Sequence, residues 1–395
     1  MPISEKTRRQ KLLARRGFLQ QSAGLLAATC GVSASAYPGK EDPTPGMKSA
    51  GGRSQPGGEP PRGSIYIPAR AYNAFQMWRD YDPGIIQRDT QYARSLHLNA
   101  FRLWLSYEFW RQHREAFRQG FDNLLQNCSA RGIRVMPVLF EGVGVEPTPA
   151  NLADTNPLEA SAVLSPSSEI VDDVKQWNGP REYVDWFMDL FRNDQRLLAI
   201  EVQNEPHTVA REVFARAMVV QAAKRKGSVP LTLGGTKLRQ SLLFIDAGLD
   251  VLESHENFPP SAEFVRKFIA NEIVNPEKVL QKPVWLTEWQ RIRPSGTGWG
   301  IKPLRGKEWE PDYASLAPIV RSYAIGNFFW SLMLKPAWLL AQRKKGTLSG
   351  VFHEDGAVWS LADARAISGD SRFEATERRT WPEWAKRIPA SLGIS

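Results

Sequence analysis

Eight short apolar, β-prone runs alternate with helix-patterned stretches between residues 64 and 388, and this alternation narrows the fold more than any other feature. The runs cover residues 64–72, 98–104, 133–140, 197–203, 229–235, 249–255, 282–288 and 326–332. Between them lie stretches such as 82–96, 114–132, 180–193, 208–225 and 314–326, where apolar residues recur every three or four positions, as in Phe117, Phe121, Leu124 and Leu125. Strands that alternate with helices pair in parallel, and eight such units predict a single α/β domain, a (β/α)8 TIM barrel. An open doubly wound sheet is the competing arrangement. It calls for a Gly-rich phosphate turn after the first strand, and PARAYNAFQMW offers none.

A barrel of this kind gathers the carboxyl ends of its strands on one rim. The fourth run ends in Asn204-Glu205-Pro206 and the seventh in Thr287-Glu288-Trp289, so three βα units separate two glutamates that reach the same rim. A carboxylate is costly to bury unpaired, and proline stops strand pairing. Glu205 and Glu288 are therefore expected at strand ends, facing solvent or a reaction. Two converging carboxyls can share hydrolysis of a glycosidic bond: one, raised by the other's charge, gives a proton to the leaving oxygen, and the other attacks the sugar carbon. The retaining form of this chemistry needs them roughly 5–5.5 Å apart, the inverting form roughly 6.5–9.5 Å. The long segments 141–178 and 289–311 each follow a strand end and belong on the same face.

Asn204-Glu205-Pro206, Thr287-Glu288-Trp289 and Phe329-Trp330-Ser331 at the eighth run together resemble glycoside hydrolase clan A, most closely the cellulase-type enzymes of family 5. The resemblance spans residues 64 to about 360. It implies Glu205 as acid/base, Glu288 as nucleophile and Asn204 on the sugar 2-hydroxyl. It further implies Arg102 keeping Glu288 ionised, His255 at the rim near the nucleophile and Trp330 under the sugar. Trp289 is a further candidate for contact with substrate, and no cofactor is implied. The chain departs from the family twice. Phe140-Glu141 stands where a histidine often follows strand three, and Asn257 stands where a tyrosine often bonds the nucleophile.

Each assignment has a plainer counterpart. Glu205 could sit at a helix N-terminus, with Pro206 as its first residue. Glu288 could pair with Arg291 or Arg293, and Arg102 could neutralise Glu201, which shares the parity of Glu205. His255 could be a rim histidine without chemistry. Trp177, Trp289, Trp299 and Trp309 lie in or beside the long loops, where sugar platform and local packing compete. The same carboxylate pair could transfer the sugar to an acceptor other than water, and a barrel without catalysis could serve as a carbohydrate-binding protein of the envelope. The five histidines form no H-E-x-x-H, no C-x-x-C occurs, and the G-x-S-x-G of serine esterases is absent.

The N-terminus points to export. Arg15-Arg16-Gly17-Phe18-Leu19 resembles the twin-arginine motif; a short apolar stretch follows, then Ala34-Ser35-Ala36, a cleavage signal. Residues 1–36 read as the signal, implying the twin-arginine export machinery as partner and a periplasmic or secreted product. Residues 37–63, rich in Pro and Gly, read as a linker, and 64–388 as the domain. The apolar stretch is too short for a transmembrane helix in the mature chain. Lipid anchoring through Cys30 is a minor alternative, since Thr29 suits a lipobox poorly. Beyond the signal, 45 of the 51 basic residues face 41 of the 42 acidic ones, which gives no footprint for nucleic acid.

Overall fold

The computed structural model describes residues 58–297 and 303–392, all within the unit Ser54–Ser395. The export signal, Cys30, most of the linker and Trp299 lie outside the described residues. All eight runs contain strands, numbered here β1 (Arg62–Ile65), β2 (Ala100–Trp104), β3 (Arg134–Glu141), β4 (Ile200–Asn204), β5 (Leu231–Gly234), β6 (Leu252–Glu256), β7 (Val284–Trp289) and β8 (Asn327–Phe329). They form one parallel sheet in the order β5-β4-β3-β2-β1-β8-β7-β6, a barrel with its seam between β5 and β6.

Several bounds differ from the sequence reading. β1 begins at Arg62, two residues inside the segment read as linker, and ends at Ile65 although the apolar run continues to Tyr72. The ladder ends on Tyr66 N–H, which donates to Arg102 O at 2.9 Å, and Pro68 beyond it has no N–H to give. The long helix after β2 spans Tyr107–Ser129 instead of starting at 114: Ser106 caps it, and a kink at His113 joins a first turn whose aromatics disguise its period. Pro318 sets the start of helix Ala317–Ser322 and splits the stretch read as 314–326. Ala262–Leu280, between β6 and β7, adds three consecutive helical segments.

Capping fixes where the other helices begin. Asp82 accepts from Gly84 N–H ahead of Pro83–Ser95, and Thr208 accepts from Arg211 N–H ahead of Val209–Lys224. Phe117, Phe121, Leu124 and Leu125 are buried against the barrel, as their spacing requires, and Cys128 is a buried free thiol. The barrel interior is unusually polar. Arg102, Glu201, Gln203, Thr232 and Glu253 are all fully buried.

The seam depends on one side chain. Backbone pairing between β5 and β6 is confined to their start, where Asp250 N–H reaches Leu231 O at 2.9 Å. Farther up, Ser241 Oγ lies 2.8 Å from Glu253 O and 3.3 Å from Leu233 O, and it accepts from Glu253 N–H at 3.3 Å. Thr232 Oγ1 adds a 2.6 Å hydrogen bond to Glu253 Oε1. Ser241→Ala leaves buried backbone groups of Glu253 and Leu233 without this partner, at a cost of about 1–3 kcal/mol. Urea unfolding should show a lower midpoint with an unchanged slope.

Candidate active site

The rim is assembled by irregularities in otherwise regular strands. Register shifts fall at Glu201/Asn204 on the β4–β5 edge and at Ser254/His255 on the β6–β7 edge. Such bulges turn side chains at barrel rims. As a result Asn204 pairs in register with Glu141, and His255 with Glu288. Glu205 follows β4 with φ +38°, a left-handed value that costs a non-glycine residue about 1–2 kcal/mol. Its N–H donates to Gly234 O at 2.8 Å, and Gly142 N–H donates to Asn204 O at 2.9 Å. A Cβ on Gly142 would overlap the Glu205 carbonyl, so the chain leaving β3 can pass there only as glycine.

Glu205 and Glu288 face each other. One oxygen from each, together with one ring nitrogen of His255, lies within 4.8 Å of the others. The helix after Glu205 begins only at Val209, so the carboxylate is not a helix-terminal group. Arg102 satisfies both readings of it at once. Its Nε and Nη2 clasp Glu201 at 2.6 and 2.7 Å, Nη1 donates to Glu288 Oε1 at 2.8 Å, and Nη2 also reaches Asn204 Oδ1 at 2.8 Å. Glu288 thus pairs with Arg102. Arg291 and Arg293 instead donate to Leu348 O and to Gln342 Oε1. Asn257 donates Nδ2 to Glu288 Oε2 at 2.9 Å. Behind it Gln290 donates to Asn257 at 3.0 Å and Ser349 to Gln290 at 2.8 Å.

A histidine stands beside the pair. His255 Nδ1 is 2.6 Å from Glu205 Oε1 and 3.7 Å from Glu288 Oε1. Burial works against a charged His255, but the carboxylates of Glu288 and Glu205 outweigh it and raise its pKa. Burial pushes Glu205 up, yet the hydrogen bond and charge of His255 prevail and hold it below the usual carboxylate range. Both shifts favour the imidazolium beside the Glu205 carboxylate, with Nδ1 2.6 Å from Oε1. Inside the barrel, burial pushes Glu201 up to about 8, with Arg102 pulling it down and Glu253 adding to the rise. Glu205, His255 and Glu288 are also the set of converging ligand atoms among the described residues. Arg102 beside Glu288 already supplies the positive charge a metal ion would bring.

The aromatic assignments divide. Trp330 lines the cleft with the two glutamates, its ring edge-on to Trp104 (centroids 5.6 Å apart) and Trp338 (6.3 Å). Trp289 does not line it: only 3% exposed, it packs on Tyr313 and Phe329 outside the barrel and donates Nε1 to Asn327. Adjacent strand residues point to opposite faces, so a cleft-facing Glu288 sends Trp289 outward. Trp177 is buried against Phe214, and Trp309 packs with Trp359 and Trp381, so both serve local packing.

The sequence reading missed the far wall. A small antiparallel hairpin, β9 (Lys335–Pro336) with β10 (Leu348–Ser349), brings Trp338, Leu339, Gln342, Thr347 and Ser349 to the cleft. Tryptophan beside an apolar pair at 337–340 was the available signal, but two-residue strands leave no periodicity to read.

No protein-family profile and no curated protein matches the chain. Solved structures do. An exo-β-1,4-mannosidase from Opitutaceae bacterium strain TAV5 is similar with TM-score 0.57 at 15% identity, over 82% of this chain and 62% of that one, so this chain spans less than two thirds of its length. A hyperthermostable endo-1,4-β-D-mannanase from Thermotoga petrophila RKU-1 gives 0.51 at 14% identity over 78% and 98%. A glycoside hydrolase family 5 mannosidase from Rhizomucor miehei gives 0.51 at 9% over 85% and 96%. At such identities the likeness establishes the fold, a (β/α)8 barrel.

Removing the central cation tests this electrostatic arrangement. Arg102→Met leaves Glu201 and Glu288 buried without it and should cost about 3–5 kcal/mol near pH 7. Glu201, which burial already pushes up to about 8, then loses the cation that pulls it down, so its folded pKa rises further above the unfolded one. A raised acid favours the fold below its unfolded value and loses that contribution as pH rises. The deficit against wild type, measured by urea unfolding, should therefore shrink from pH 7 to pH 5.

Proposed function

We propose that this protein is a glycosidase that hydrolyses β-glycosidic bonds of a polysaccharide or oligosaccharide with retention of configuration, through a covalent glycosyl-enzyme intermediate. The observation that carries the reading is the approach of a Glu205 oxygen and a Glu288 oxygen to within 4.8 Å. That approach is nearer the roughly 5–5.5 Å separation of carboxyls in retaining enzymes than the roughly 6.5–9.5 Å of inverting ones. The similar solved structures, which are mannosidases and a mannanase, support a carbohydrate substrate.

In this reading Glu288 is the nucleophile. Arg102 and Asn257 each donate to one of its oxygens, which keeps it ionised and fixes its direction. Glu205 gives a proton to the leaving oxygen and draws it from His255 Nδ1 across their short hydrogen bond. It then takes a proton from the water that cleaves the glycosyl ester. Trp330 supplies an apolar face for the sugar ring. The export motif suits an enzyme that meets its polymer outside the cytoplasm, and among the described residues no helix is long and apolar enough to cross a membrane.

Reducing-sugar release from a panel of β-glucan, β-mannan and β-xylan should identify a substrate. On it Glu288→Gln should abolish turnover, and Glu205→Gln should lower it by about 10²–10⁴, the range for loss of a general acid. Proton NMR of the first product should show the anomer of the substrate. An inverted first product would overturn the double displacement, and an unchanged rate in Glu288→Gln would overturn the assignment of the nucleophile.

The hydrogen-bond chain behind Glu288 makes a separate prediction. Asn257→Ala removes one of the donors that stabilise the carboxylate, so the acidic limb of the kcat/KM profile should move to higher pH. Ser349→Ala, two links further back, should move it less in the same direction.

A further inference from the structure

A third carboxyl shares the cleft with the pair. Glu141 ends β3 at the position of the first departure, is only 4% exposed, and lines the same cavity as Glu205, Glu288 and Trp330. Its Oε1 accepts from Val143 N–H at 2.7 Å and from Asn204 Nδ2 at 2.9 Å. Two donors occupy the two lone pairs of that oxygen. Oε2 has no partner among the described residues. That oxygen is not among the buried unpartnered atoms, so in a residue that lines the cleft it is open to a ligand there.

We propose that Glu141 is a substrate-binding residue, whose neutral carboxyl donates a hydrogen bond from Oε2 to a hydroxyl of an uncharged sugar held beside Asn204. This deepens the glycosidase reading and rests on it. A neutral acid has one proton to place, and with Oε1 already accepting twice it belongs on Oε2, which becomes a donor aimed at substrate. The surroundings favour that form. Burial pushes Glu141 up to about 8; the hydrogen bonds from Asn204 and Val143 pull down, and the charges of Glu205 and Glu288 add to the rise. Arg211, from helix Val209–Lys224, is spent on the Glu141 carbonyl at 3.4 Å and on Pro166 O at 3.1 Å. The same two carboxylates repel a uronate carboxylate, so the site suits a neutral hexose or pentose.

The test is KM and kcat of wild type, Glu141→Gln and Glu141→Leu between pH 6 and 9.5, on the polysaccharide that wild type hydrolyses. Above its folded pKa Glu141 loses the proton it donates and becomes a third negative charge. Wild-type KM should therefore rise at alkaline pH, approaching tenfold per unit. The amide of Glu141→Gln donates at every pH, so its KM should stay within about threefold of the neutral wild-type value and lose the alkaline rise. Glu141→Leu should raise KM roughly tenfold across the range, the equivalent of one lost hydrogen bond of about 1.4 kcal/mol. A wild-type KM in Glu141→Leu, or an alkaline rise that persists in Glu141→Gln, overturns the proposal. If wild type hydrolyses none of the panel, the glycosidase reading fails on its own. Calorimetric affinities for mannobiose, cellobiose and xylobiose then make the same three-way comparison of Glu141: the predicted pattern supports the contact, and equal affinities or no binding overturn it.

Discussion

A guanidinium sealed inside a barrel cannot be left with unanswered charge, and the rim of this molecule is arranged around that requirement. Arg102 is fully buried, and burial works against its charge; the carboxylates of Glu201 and Glu288 outweigh it and hold its pKa well above the usual value. Its planar fork spends two nitrogens on Glu201 and one on Glu288, and shares Nη2 with Asn204. One side chain from β2 thereby fixes groups on β4 and β7. β5 contributes by omission, because a Cβ on Gly234 would overlap Glu201 Oε1. Such a buried network is weak evidence for net stability, since desolvation offsets much of the attraction. Its value here is geometric: the direction of Glu288 is set by the same cation that the barrel interior needs.

The second constraint is the supply of protons. Five carboxyls, those of Glu141, Glu201, Glu205, Glu253 and Glu288, are close to one another in or just above the barrel, with one guanidinium among them. Full ionisation would leave the interior strongly negative. Burial and mutual repulsion oppose this: His255 is raised by its two carboxylate neighbours, burial pushes Glu141 up to about 8, and Arg102 pulls against the same push on Glu201. The proton poised between His255 and Glu205 is thus one member of a shared population. In a site of this kind the acid is identified by which group sits 2.6 Å from a donor, more than by which carboxyl has the higher isolated affinity.

Legibility in the sequence followed physical range. The barrel could be read because each strand is a local apolar run and each helix a local period, and eight repetitions leave few closed arrangements. The convergence of Glu205 and Glu288 followed from topology, which the repeat count determines. Arg102 was readable as a buried cation but not as one serving Glu201 and Glu288 together, because that depends on a bulge in β4 and the bare Cα of Gly234. The sequence places Trp289 in or beside the loop after the seventh run, where platform and packing compete, whereas it is the last residue of β7 and alternation along the strand turns it to the other face from Glu288. The hairpin carrying Trp338 and Ser349 was invisible because its strands are two residues long and are held by long-range contacts, such as Arg291 on the Leu348 carbonyl.

The two departures from the family pattern make sense together. A histidine at position 141 would introduce a group able to carry positive charge next to Asn204, and a tyrosine at 257 would give Glu288 an acidic hydroxyl. This chain has a carboxyl and an amide there instead. The amide of Asn257 bonds Glu288 without a titratable proton and is held from behind by Gln290 and Ser349. Glu141 contributes the opposite property, a titratable group that burial pushes up to about 8 and whose Oε1 anchors Asn204. The titratable group of this pair thus sits on the wall beside Asn204, and the partner of Glu288 is an amide.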